Sequence, residues 1–239
     1  MPKISLPKVI AAIGLTSVLT VLSFAIPKEL LAQNSDQPRE GLPGRRVGGG
    51  TRSGNTLDLV ALLPQNNQGL TFSQTPTFLV YIPQTQKPEM GEFMLMDENE
   101  EIVYQTNFTT NGKSGIVSIA PAQTNPTKFL EIGKVYKWYF SIIRSPGDRS
   151  ADAYVTGSIK RVQPNQDLDN QLKKASLVER AALYAANNFW YDAIATLAEL
   201  RYSNPVDADV AAKWTQLLQS VNLDNIAQEP LVKSQVSAQ

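Results

Sequence analysis

Apolar positions between residues 57 and 162 come in short alternating runs broken by turn residues, whereas beyond Pro164 they recur at helical spacing. The first pattern predicts strands at 57–63, 77–82, 92–97, 101–106, 115–120, 134–144 and 152–162. Turn-forming residues cluster between them at 64–69, 83–88, 98–100, 111–112 and 145–149, where proline presets φ and glycine or asparagine supplies the reversal. Phe93, Leu95, Ile102 and Tyr104 alternate with more polar neighbours, which predicts a hairpin with one buried face. Trp138 and Phe140 alternate with Lys137 and Tyr139, and the first pair is assigned to the core.

The second pattern predicts helices. Ser176 and Glu179 stand at capping-box spacing, so a helix begins at Leu177 and ends near Asn187 and Asn188. Another runs over about 190–202 to a stop at Asn204-Pro205, and a third over 208–220 behind the N-cap Asp207. The first two form a helical hairpin. Leu130, Gly133 and Tyr136 have the spacing found before a late strand in immunoglobulin-like and fibronectin-like sandwiches, where the tyrosine hydroxyl ties back to nearby backbone. The expected fold is α+β: an immunoglobulin-like antiparallel β-sandwich over 57–162, then a helical domain over 163–239 made of the hairpin and the third helix.

Ahead of these lie two segments of different character. Lys3 and Lys8 precede an apolar run over 9–26, then Pro27 and Leu30-Leu31-Ala32, which is the layout of a secretory signal peptide over 1–32 cleaved after Ala32. The alternative is an uncleaved anchor, which would be the chain's one membrane contact. The expected location is periplasmic or secreted. Residues 33–56 form a Gly/Arg tether. Within it "GRRVGGGTRSG", from Gly44 to Gly54, has the glycines of a phosphate loop, but no strand precedes it and no Lys-Ser or Lys-Thr pair follows. Arg45, Arg46 and Arg52 are therefore expected in solvent, with anion docking as the alternative.

Charge and composition narrow the chemistry. Lys plus Arg and Asp plus Glu both number 22, so no basic field invites nucleic acid, and cleavage after Ala32 leaves a slight acidic excess. The chain has no cysteine, so an exported form lacks disulfides, and no histidine, which excludes Ser-His-Asp and Cys-His catalysis and the commonest transition-metal ligand. No cofactor is expected.

Three clusters are candidates for recognition. Asp97, Glu98, Glu100 and Glu101 bunch at a hairpin tip, either as a solvated turn or as oxygen ligands for calcium. Asp148, Arg149 and Asp152 lie in the loop before the last strand, as an internal ion pair or a ligand site. Phe189, Trp190 and Tyr191 sit at the turn between the hairpin helices, as core or as a partner-binding hot spot.

Two resemblances add to this. Ala181, Tyr184, Ala193, Leu197 and Pro205 make the hairpin similar to a single tetratricopeptide repeat, although Arg180 stands where that family has leucine. A lone repeat leaves an apolar side open, which the helix carrying Val210, Trp214, Leu217 and Leu218 would cover. The combination of the Gly44-Arg45-Arg46 and Gly48 to Arg52 segments, Leu62-Leu63-Pro64, Asn67 to Thr71, Pro76 to Pro83, Tyr139-Phe140-Ser141, Asp148 to Asp152, Glu179 to Tyr184, Trp190-Tyr191-Asp192 and Leu200-Arg201 resembles the cyanobacterial domain-of-unknown-function family nine-two-eight, from about Gly44 to about Val232. Relatives often carry cysteines absent from this chain, so no redox or metal role transfers. The resemblance implies source and compartment but no activity. The functional expectation is a non-enzymatic interaction or scaffold protein of the cell envelope with a protein partner. The alternative is a glycan or cell-wall binding module with weak hydrolysis through carboxylates such as Asp148 and Asp152, which would need to stand about 5 to 9.5 Å apart across a cleft.

Overall fold

The computed structural model describes residues 46–48, 57–121, 130–145 and 147–232. The signal-peptide reading lies outside these residues, as does all of the tether except Arg46, Val47 and Gly48. Among the described residues ten strands form: β1 (Val47–Gly48), β2 (Leu59–Ala61), β3 (Gln68–Thr71), β4 (Phe78–Ile82), β5 (Met90–Met96), β6 (Ile102–Thr109), β7 (Gly115–Ile119), β8 (Val135–Ile143), β9 (Ala153–Arg161) and β10 (Leu231–Val232). They build two five-stranded sheets, β1-β2-β4-β7-β10 and β3-β9-β8-β5-β6. Four helices, α1 (Gln166–Lys174), α2 (Leu177–Ala186), α3 (Trp190–Ser203) and α4 (Ala208–Gln219), lie between β9 and β10. The chain is α+β, with a sheet-rich part followed by helices. No helix among the described residues is long and apolar enough to cross a membrane.

Alternation sets the core. In β8, Tyr136, Trp138, Phe140 and Ile142 point inward while the residues between them are only partly covered. Opposite them in β5, Phe93 and Leu95 are buried, and from the other sheet Phe78 meets Phe93 at 4.8 Å and Trp138 at 5.5 Å between ring centroids. Trp138 and Phe140 are therefore core. The Tyr136 hydroxyl accepts the Glu131 N–H at 3.0 Å, the backbone tie expected of that tyrosine.

Three expectations are corrected. The sheets are mixed, not purely antiparallel: β3 runs parallel to β9 and β10 parallel to β7. Neither strand reaches its partner through a hairpin. β3 crosses over to the second sheet, and β10 returns from the helices to the first, so tight-turn logic does not apply to them. Gln68 and Gly69 were expected in a turn and instead begin β3. The turn closes early through the Asn67 N–H to Pro64 O bond, with Asn67 at φ 58°, and the chain straightens at once.

The tether reading also fails at Arg46 to Gly48. β1 pairs with β2, Arg46 O accepts the Ala61 N–H, and the Arg46 guanidinium donates to Val221 O at 2.6 Å. Glycine is required at position 48, where a Cβ would stand 1.8 Å from Tyr154 O. This arginine is an internal clamp between the first sheet and the segment after α4.

Helix ends follow the predicted chemistry, with an addition. Ser176 and Glu179 form the reciprocal capping box, and Asp207 accepts from the Asp209 and Val210 N–H groups. The added helix α1 has Asn165 as N-cap, acids in its first turn and Lys173 and Lys174 in its last, matching the helix dipole. At the far end Trp214 Nε1 and an Arg201 guanidinium nitrogen both donate to Ala227 O, which holds the chain on its way back to β10. One continuous core runs through sheets and helices.

Candidate functional site

The first turn of α3 is where sheets and helices interlock. The link after α2 is short, with Asn188 at φ 62° and the Phe189 N–H bonded to Tyr184 O, so α3 starts directly against the strands. Phe189, Trp190 and Tyr191 are only 6%, 4% and 2% exposed. Trp190 Nε1 donates to Leu62 O at 2.8 Å. The Tyr191 hydroxyl accepts from Trp138 Nε1 at 2.7 Å and donates to Ser158 O at 3.1 Å, and burial pushes its ionisation far above the ordinary tyrosine range. Of the two readings of this trio, core and partner-binding hot spot, its burial is that of core. Its aromatic bulk fills the seam between layers, and its polar atoms are already satisfied.

The Asp148 loop is likewise self-contained. Asp148 caps a short 3-10 turn (Arg149–Ala151), accepting from the Ser150 N–H and hydroxyl. Those bonds hold its carboxyl below the usual range. Arg149 bridges Asp152, through Nε at 2.5 Å, and Glu92, through Nη2 at 2.8 Å. The other Asp152 oxygen accepts the Arg144 N–H at 3.2 Å. Asp148, Arg149 and Asp152 come together, then, but their hydrogen bonds go to the loop itself and to β5. The acidic hairpin tip behaves similarly: Asp97 accepts from the Glu101 and Asn99 N–H groups, which lowers its pKa. No cluster of acidic side chains among the described residues is arranged to hold a metal ion.

A residue the sequence reading did not single out as a site marks the concavity of this face. Asp192, in the first turn of α3, is 7% exposed and accepts from Thr71 Oγ1 and the Phe72 N–H, both at 3.1 Å. These bonds stitch α3 to the end of β3. Despite them, removal from water pushes the carboxyl up to about 7, so it is poised between charged and neutral near neutrality. Asp192 lies on the wall of a cleft of about 490 Å³ between α3, the 72–77 segment and the β7 and β10 strands. Phe72 stacks on Tyr184 at 5.3 Å there, and burial followed by the charge of Asp192 raises the Tyr184 hydroxyl pKa against the opposing pull of Arg180.

The lining has a definite character. Phe72, Tyr184, Tyr191 and Tyr202 supply rings, Thr75, Thr77 and Thr196 supply hydroxyls, and Asp192 and Glu199 are its carboxylates; among the described residues no Lys or Arg takes part. The size is that of a site for a small molecule or a few side chains. Its one sequence signal was the Trp190-Tyr191-Asp192 run, where a lone acid follows two large aromatics.

A family model described as Domain of Unknown Function (DUF928) matches residues 45–231. No curated protein matches the chain.

Proposed function

The chain belongs to the DUF928 family, and from that premise we propose that it is an exported, non-enzymatic interaction protein of the cell envelope that holds a short, neutral-to-basic segment of a protein partner in the cleft beside Asp192. The observation that carries this reading is the cleft's composition: two carboxylates, four aromatic rings and, among the described residues, no cation. Such a surface repels anionic ligands and favours a lysine- or arginine-bearing or neutral segment, with rings for cation–π and stacking contacts. The apolar N-terminal run supports export. The hairpin of α2 and α3, read as repeat-like, and the sheets, read as an immunoglobulin-like sandwich, both fit a recognition scaffold.

The hydrolase version of the glycan reading finds no support in the Asp148 loop, whose two aspartates are engaged by Ser150, Arg149 and Arg144. Ala195 lines the cleft on α3 and is only partly buried, so Ala195→Lys fills the space with a tethered cation while keeping helix propensity. The test is capture from envelope extract with wild type, Ala195→Lys and a control at the exposed Val206 as baits. A protein retained by wild type and control and lost on Ala195→Lys supports the reading. Equal retention by all three, or retention of polysaccharide alone, overturns it.

A further inference from the structure

β6 is the outermost strand of the second sheet, paired with β5 and, among the described residues, with nothing on its other side. The Thr110 N–H to Glu89 O bond fixes the alternation of that ladder. Every second residue of an antiparallel strand turns its backbone groups toward the partner, so Tyr104, Thr106 and Phe108 bond to β5. Gln105, Asn107 and Thr109 then present N–H and C=O outward.

Free edges are ordinarily blunted by charge, proline or shortness. β6 runs for 8 residues, IVYQTNFT, and has none of these protections. Charge is confined to its two ends and has opposite sign there. The turn before it carries Asp97, Glu98, Glu100 and Glu101. Lys134 lies near that turn but is paired with Glu131 at 2.9 Å, so the turn keeps its acidic excess. After β6 comes the exposed Lys113, and Lys87 is drawn to the same end by the Thr85 N–H to Gly112 O and Thr85 Oγ1 to Lys87 O bonds. Glu89, also at that end, is matched by Arg144 at 4.0 Å.

An uncharged strand with an acidic head and a basic tail is complementary to itself when reversed. We propose that β6 is a self-association edge, along which two copies of this chain pair antiparallel about a two-fold axis near Thr106 and join their second sheets into one. In that register Gln105 faces Asn107 of the other copy, Val103 faces Thr109, and the acidic turn of each copy lies beside Lys113 of the other. The contact is one strand long, so the dimer is weak, dissociating in the micromolar range and more readily at high salt. The edge is separate from the cleft, which is lined by the other sheet, α2, α3 and the 72–77 segment.

Sedimentation velocity of the purified chain over a concentration series reads this directly. Wild type shifts from monomer to dimer across the micromolar range, and added salt moves the shift to higher concentration. Asn107→Pro removes an outward N–H at a position where an edge strand accepts proline, so circular dichroism stays native while dimer disappears. Lys113→Glu weakens association about tenfold, and adding Glu98→Lys with Glu100→Lys restores it. A chain that stays monomeric throughout, an Asn107→Pro variant that dimerises like wild type, or a charge swap that fails to restore pairing overturns the proposal.

Discussion

Replacing Asp192 by Asn isolates the energetic consequence of burying one carboxyl at the seam between sheets and helices. The folded state raises this carboxyl from 3.8 to about 7, mainly by desolvation. A raised folded value means the native state binds the proton more tightly than the unfolded chain. The associated stability is therefore fully present below about pH 4 and is lost as pH rises through about 7. Between pH 4.5 and pH 8 the loss integrates to about 3 kcal/mol, at 1.36 kcal/mol per unit of pKa difference. Asparagine is uncharged at every pH, and it can still accept the Phe72 N–H while its amide donates to Thr71 Oγ1, so the seam remains closed. Urea melts followed by tryptophan fluorescence suit the protein, because Trp138, Trp190 and Trp214 are all buried. Wild type should be the more stable protein, or equal, at pH 4.5 and should fall by about 3 kcal/mol relative to Asp192→Asn by pH 8. All other titrating groups are common to both proteins and cancel in the difference. Parallel pH profiles would refute the reasoning, since they would mean that Asp192 is solvated and ordinary.

Tyr191→Phe leaves Trp138 Nε1 and Ser158 O without the hydroxyl that joins them in a buried seam, and should cost about 2 to 4 kcal/mol in the same melts with little change in shape. Gly69→Ala would place a Cβ 2.7 Å from the Tyr191 ring, so it should destabilise the β3 to α3 contact measurably, seen as faster hydrogen exchange in β3. Ser176→Ala removes the capping box of α2 and should cost about 1 kcal/mol. Arg149→Ala acts on a half-exposed side chain that nonetheless neutralises the nearly buried Asp152; its cost should be about 1 kcal/mol and should shrink in high salt.

The parts of the fold that were legible in the sequence are those written in local chemistry. Alternation in β5 and β8 gave the core face, the Ser176 and Asp207 caps gave helix starts, and the Leu130 to Tyr136 spacing gave a hydroxyl-to-backbone tie that forms. What was illegible depends on partners far along the chain. β3 is a strand because residues 158–161 lie beside it, and β10, two residues long, exists through its pairing with residues 116–117. Gly48 and Arg46 looked like tether because nothing nearby reveals that Tyr154 and Val221 will meet them. The aromatic run at 189–191 was recognisable as large and apolar, but a sequence does not say which side of a helical turn faces a sheet. Asp192 escaped notice for the same reason: its environment is built by Thr71 and Phe72, more than a hundred residues upstream.

Recognition in the cleft beside Asp192 is open to a direct test by crosslinking. Placing a photo-activated benzophenone side chain at position 195, inside the cleft, and separately at position 206, which is 89% exposed in the turn between α3 and α4, tests it in living cells. A discrete protein adduct is expected from position 195, absent from position 206 and lost when Glu199→Lys reverses the charge at the cleft rim. Adducts of equal pattern from both positions, or none from position 195, would contradict it.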